Sequence, residues 1–162
     1  MLIGTFEHNL DGKNRVFVPA KFRDELGETV YYTFHSSKYP SIQLYSKQGF
    51  EEALEEALAE AKDRTERRNI RAEFMMGAGE ANYDSQGRVV LSPLTTEKAE
   101  IVKQCIFVGF VDYVEVMSPE NYNKYLESIS KNNVLDEEAI ESEKKLLRTY
   151  KAEGKLLNLR ND

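Results

Sequence analysis

The feature that most constrains this chain is a block that occurs twice: Asp11–Val18, DGKNRVFV, recurs as Asp84–Leu91, DSQGRVVL. The stretches downstream of the two copies also rhyme. A short segment opened by proline (Pro19 or Pro93) leads into an apolar strand over 30–34 or 105–111. A second strand comes next, IQLYS or VEVMS, and then a helix that sets an aromatic four residues before a leucine, Phe50/Leu54 or Tyr122/Leu126. The economical reading is one β-β-α-β-β-α unit used twice. The chain is therefore expected to be an α+β protein of two pseudo-repeated halves, 1–76 and 77–131, forming one compact unit, with a helical, charged tail at 132–162.

Local chemistry supports each element. Phe6, His8 and Leu10 alternate with polar residues, the period of a half-buried strand, and Asp11-Gly12 is a hairpin signal, so the chain is expected to reverse there. On the returning strand Arg15 and Phe17 share one face and Val16 and Val18 the other. Asn14 aligns with Gly87, the residue types that best tolerate positive φ. Pro19 and Pro93 suit the first turn of a short helix, with Ser92 as a helix cap in the second copy. Phe50, Ala53, Leu54, Ala57, Leu58 and Ala61 lie at helical spacing after Ser46. That helix either continues toward Met76 or restarts with Asp63 or Thr65 as cap. Ser118 and Pro119 open the corresponding helix of the second half and set Tyr122, Tyr125, Leu126 and Ile129 on one face. A further helix is expected from Asp136.

Composition removes several function classes. The chain has 162 residues, 41% of them hydrophobic and 31% charged, which places it among globular proteins. No apolar run approaches the roughly 20 residues of a membrane helix. The polar N-terminal stretch predicts no export. Cys105 is the one cysteine, so no intrachain disulfide framework exists, and its apolar neighbours predict an inert buried thiol. His8 and His35 are the only histidines. No metal-ligand spacing accompanies them, so no metal, no cofactor and no enzymatic activity are expected. Gly77–Asn82, GAGEAN, lacks the third glycine of a dinucleotide fingerprint and reads as a turn or a close-packing site.

Net charge is −6, from 22 basic and 28 acidic residues. Salt screens fields beyond about 10 Å, so local distribution matters more than the total. Between His8 and Arg23 the bases Lys13, Arg15, Lys21 and Arg23 oppose only Asp11, so a locally basic patch is open to an acidic protein. For Asp11 and Arg15 the residues leave two readings open: a turn held shut by an ion pair, or an arginine presented to a nucleic acid, whose phosphates and guanine edges its fork matches. Arg64, Arg67, Arg68 and Arg71 stripe one side of a helix. The favoured reading is a solvated face or ion pairing with the Glu51–Glu60 face of the same or a neighbouring subunit, rather than phosphate contact. Lys144, Lys145, Arg148, Lys151 and Lys155 form either a basic arm or a soluble helix end.

With EHNLDGKNRVFVPAKFRDELG at the start and RAEFMMGAGEANYDSQGRVVLSP in the middle, the chain resembles the MraZ family, two-copy relatives of the AbrB/SpoVT swapped-hairpin DNA-binding proteins. The resemblance spans roughly residues 1–131 and rests on two Asp-x-x-x-Arg motifs at the repeat distance. It implies a cytoplasmic, nucleoid-associated transcriptional regulator that forms homo-oligomeric rings and binds tandem promoter boxes of a bacterial division and cell-wall gene cluster. By motif position, Arg15 and Arg88 are the DNA-binding arginines, accompanied by Lys13, Asn14 and Gln86, while Asp11 and Asp84 orient them. The chain departs from the family pattern at Asn14, where glycine is usual. Within the repeat, Ser92 stands where the first copy has proline and Thr96 stands opposite Arg23. The second copy is thereby expected to bind DNA more weakly or to serve mainly in assembly. The alternative function is an AbrB-like antitoxin that holds a protein partner through its tail.

Overall fold

The computed structural model describes residues 1–135 together with Lys145 and Arg148. The expected helix from Asp136 and most of the basic tail lie outside the described residues. Contacts divide the chain into one unit at Met1–Tyr122 and another at Asn123–Asp162.

In the first unit, β1 (Thr5–Asn9), β2 (Arg15–Phe17), α1 (Ala20–Leu26), β3 (Thr29–His35), β4 (Ser41–Tyr45) and α2 (Lys47–Ala59) make the first copy. The helix α3 (Arg64–Met76) comes next. Then β5 (Gly79–Asn82), β6 (Arg88–Val90), α4 (Pro93–Lys98), β7 (Gln104–Gly109), β8 (Val114–Met117) and α5 (Pro119–Leu135) repeat the order. The repeat read from the sequence is thus the architecture, with α3 inserted between its copies.

The pairing of the strands corrects one expectation. The Asp11 loop does turn, the Asn14 N–H donating to the Asp11 carbonyl, but β1 and β2 form no ladder with each other. Instead β1 pairs with β7 of the other copy and β5 pairs with β3, in a six-stranded antiparallel sheet of order β1-β7-β8-β4-β3-β5. The returning strands β2 and β6 pair only with one another. The backbone bonds of each copy are therefore completed by the other: Leu10 N–H donates to Lys103 O, and Val18 N–H to Gly87 O. An approximate two-fold axis runs through the Val16–Val89 pair of the ribbon and the Gln43–Glu115 pair of the sheet.

This exchange encloses the core. Val16, Val18, Val89 and Leu91 of the ribbon layer meet Val30, Ile42, Leu44, Phe107, Val114 and Val116 of the sheet, with Phe22 and Leu26 of α1 beside them, all essentially without solvent exposure. Each such side chain contributes about 1.5–3 kcal/mol by leaving water. Arg15 and Phe17 are only half-buried, so the alternation along β2 falls as its sequence predicts. The sheet's other face carries Tyr31, Thr33 and Tyr45. There Tyr31 and Tyr45 contact Phe50 of α2, and Phe50 contacts Phe74 of α3.

Helix ends obey local rules with two exceptions. Ser46 accepts from Gly49 N–H, Asp63 from Glu66 N–H and Ser118 from Asn121 N–H, so the apolar stretch after Ser46 breaks and restarts at Asp63. Pro93 opens α4, but Pro19 precedes α1 rather than entering its first turn. Ser92 occupies the cap position of α4 without a side-chain cap bond, its backbone N–H donating instead to the Tyr32 hydroxyl. The α5 face expected to be core is only partly so: Tyr122 is half-buried, while Tyr125, Leu126 and Ile129 are exposed. Gly77–Asn82 is a close-packing site. A Cβ on Gly79 would collide with the Tyr32 ring, and one on Gly77 would meet Phe34 Cβ at 2.5 Å.

Candidate nucleic-acid interface

The two Asp-x-x-x-Arg loops are built alike, atom by atom. Oδ1 of Asp11 accepts the backbone N–H groups of Lys13 and Arg15 at 3.0 and 2.8 Å, and its Oδ2 accepts Nε of Arg15 at 2.6 Å. In the second copy Oδ1 of Asp84 accepts from Gln86 and Arg88, both at 2.9 Å, and Oδ2 accepts Nε of Arg88 at 2.8 Å. One carboxylate thus folds the turn and aims the arginine. Backbone hydrogen bonds from the arginine residues lead the interactions that hold both carboxyls below the ordinary aspartate range; burial opposes them, and the guanidinium and the second backbone N–H add to the lowering.

Each aspartate engages Nε, so among the described residues the terminal amino groups carry no hydrogen bond, the one ion pair there being that of Arg88 to the other loop. Pairing of β2 with β6 puts the loops side by side, and Nη1 of Arg88 lies 3.9 Å from Oδ2 of Asp11. Lys13 and Gln86 are exposed at matching positions on the two turns. The result is a small surface of two cationic forks held by their turns, with two exposed polar side chains, Lys13 and Gln86, at the tips.

Asn14 behaves differently from the other predicted site residues. It takes positive φ (60°), as Gly87 does (79°), but its amide is directed into the molecule, donating to the Leu91 carbonyl and, at 3.2 Å, to Thr96 Oγ1. Its side chain is committed to the other copy. At the equivalent place in the second loop stands Gly87, where a Cβ would collide with Nη1 of Arg23, and that guanidinium rests 5.0 Å over the Phe17 ring. The departures at Asn14 and Thr96 are therefore two ends of one contact. Where the loop residue is glycine, the neighbour is Arg23; where it is asparagine, the neighbour is Thr96. Residue spacing holds no sign of this pairing, since the partners are about eighty positions apart.

Other candidates fall away from this surface. Arg64, Arg67, Arg68 and Arg71 are exposed on α3, on the sheet's far face. Among the described residues none of them is ion-paired with the Glu51–Glu60 face. Cys105 is fully buried and burial pushes its thiol up to about 11, as an inert core residue requires. Among the described residues no three potential metal ligands cluster, and no helix is long and apolar enough to cross a membrane.

Comparison with known proteins assigns a class to this intertwined double-copy fold with its paired carboxylate-held arginines. The MraZ family model, described as an antitoxin-like MraZ protein, matches residues 1–71 and 74–143. A transcriptional regulator MraZ of Lactobacillus gasseri is 36% identical over 138 residues, covering 82% of this chain and 91% of the relative. Those of Corynebacterium kroppenstedtii (34% over 125 residues, 77% and 86%) and Mycoplasma mobile (35% over 123 residues, 76% and 83%) are similar to nearly the same extent. The chain belongs to the MraZ family. It is a transcriptional regulator and not an enzyme.

Proposed function

We propose that the chain is a sequence-specific DNA-binding regulator that works as a ring-shaped homo-oligomer on tandem promoter boxes of a division and cell-wall gene cluster, in the cytoplasm and on the nucleoid. The observation that carries this reading is the repeated grip of Asp11 on Arg15 and Asp84 on Arg88, which presents two forks together on one ribbon. Arg15 and Arg88 contact bases or phosphates, Lys13 and Gln86 contact the backbone, and Asp11 and Asp84 orient. Asn14 acts through its backbone conformation, because its side chain is engaged elsewhere. Halves 1–76 and 77–131 carry one loop each, with 132–162 as an appended tail.

Two small loops offer few contacts, so affinity comes from linking several subunits. Linked sites raise avidity by roughly 10²–10⁴ without new contacts when box spacing matches subunit spacing. The test is fluorescence anisotropy on a duplex with tandem guanine-containing boxes against a scrambled duplex, across a salt series. Each phosphate contact adds about 0.9 to the slope of log K against log salt. Preference for the tandem duplex, lost in Arg15→Ala with the oligomer intact, is the expected result; unchanged affinity of that variant would remove the assignment. The family's antitoxin-like description favours one other reading, a protein partner held by the tail. Deleting residues after Lys131 separates them: the regulator keeps its DNA affinity, and the antitoxin loses its partner.

A further inference from the structure

Helices α2 and α3 each carry like charges at neighbour spacing, and the two signs are opposite. On α3, Arg64 and Arg68, and Arg67 and Arg71, stand four apart, and Arg64/Arg67 and Arg68/Arg71 three apart, all exposed. On α2, Glu51/Glu55 and Glu52/Glu56 are likewise four apart and exposed, with Glu60 exposed at the helix C-cap. Like charges at such spacing repel, so each helix bears a strain that an opposite partner removes. Among the described residues no charge of either set has an ion-pair partner within 4.0 Å. The other acids of α3 do not serve: Glu66 accepts from the backbone N–H of Lys62 at the helix start, and Glu73 lies round the helix from the arginine stripe by its spacing.

The two stripes also match in length. At 1.5 Å per residue, Arg64 to Arg71 spans about 10 Å and Glu51 to Glu60 about 13 Å. The arginines rim an open concavity of about 680 Å³ whose remaining lining is Ala72 and Met75, with Met75 and Met76 exposed beside it. A cationic rim around an apolar floor suits an acidic helix with aliphatic stems. DNA is the less suitable occupant, because the sheet stands between this surface and the Arg15 and Arg88 loops: α3 is bonded to the far face through Thr33 Oγ1 and Phe74 O.

We infer that the α3 arginine stripe is the docking surface for the acidic α2 face of a second copy of this chain. The inference rests on the oligomeric reading above and assigns it a face. It also explains how copies of net charge −6 associate, since complementary patches meet while the rest of each surface is screened.

The test is the mass of the full chain without DNA, measured by light scattering after size exclusion. Two charge-reversed variants are compared with the parent: Arg67→Glu/Arg68→Glu/Arg71→Glu and Glu52→Lys/Glu55→Lys/Glu56→Lys. All six positions are exposed, and circular dichroism checks that both variants fold. Each variant alone is expected to fall from the parent oligomer to a smaller species, and an equimolar mixture to regain the parent mass, because each supplies the face the other lacks. The parent itself is expected to dissociate as salt rises from about 0.1 M to about 1 M. Parent mass retained in both variants would overturn the inference while leaving the DNA reading intact. So would a variant of unchanged mass that loses DNA affinity, which makes the stripe a phosphate contact. A parent that is monomeric throughout overturns the oligomeric reading as well.

Discussion

The Asp11 and Asp84 loops are the same device supported in two ways. Their carboxylates make the same three bonds, to two backbone N–H groups and to one Nε. The difference lies behind the turn. The first loop is tied to the opposite copy by hydrogen bonds, Asn14 to Leu91 and Thr96. The second is covered by packing, with Arg23 lying over Gly87 and stacking on Phe17. Divergence between the copies has thus spared the Asp–Arg grip and fallen on the exposed turn tips, Lys13 and Gln86, and on a compensated pair beneath the turns.

The largest way to break the comparison is Gly87→Val. A β-branched residue at φ 79° is strained, and its Cβ would displace Arg23. A loss on the order of 3 kcal/mol in chemical denaturation is expected, from backbone strain and overpacking together. Asn14→Gly, the mirror change, costs only about 1 kcal/mol, the net worth of its hydrogen bonds. Equal losses would mean that the two loops are not supported differently.

A sharper test is the cycle of Asn14→Gly and Thr96→Arg. Alone, Thr96→Arg forces a guanidinium against the Asn14 side chain and costs about 2 kcal/mol. With Asn14→Gly it rebuilds the arrangement of the second loop, so the double variant is expected to recover at least about 1 kcal/mol over the sum of the singles. Strict additivity would refute the compensation.

Acid should disturb both loops together. The aspartate carboxyls sit below their ordinary range in the fold, so the stabilisation they provide is present above the unfolded aspartate value and fades as pH falls through the lowered folded value. His8, whose imidazole burial lowers its pKa, adds a loss that begins earlier: stability declines as pH falls through the ordinary histidine value of 6.5 toward the folded one, because only the unfolded chain takes up the proton readily. Titration of the Lys13 and Gln86 amide resonances is expected to show a parallel acid transition. A transition in one loop alone would show that their carboxylates are not equivalent.

The smallest effect expected lies at Tyr83, the residue just before Asp84. Its hydroxyl is buried with no hydrogen-bond partner among the described residues, and burial raises its pKa to about 12. Leu10 holds the matching place before Asp11. Tyr83→Phe removes an unsatisfied group and should leave thermal stability unchanged or raise it by up to about 1 kcal/mol. A clear loss would point to a bonded hydroxyl.

Much of this protein is local and therefore readable from residues alone. The repeat, the alternation that buries Val16 and Val18, the positive φ at Asn14 and Gly87, and the caps at Ser46, Asp63 and Ser118 each depend on a few neighbouring residues. The Asp–Arg grip is equally local, spanning four positions. Strand partnership is not local. Asp11-Gly12 signals a reversal, and the chain does reverse, but whether β1 ladders with β2 or with β7 depends on which choice buries the valines of both copies at once. The support behind the loops is hidden for the same reason, since Asn14 meets Thr96 only because the two copies exchange strands. Short-range hydrogen bonding and side-chain period determined the elements and the outward chemistry. Long-range burial, available only to the assembled fold, decided how they are joined.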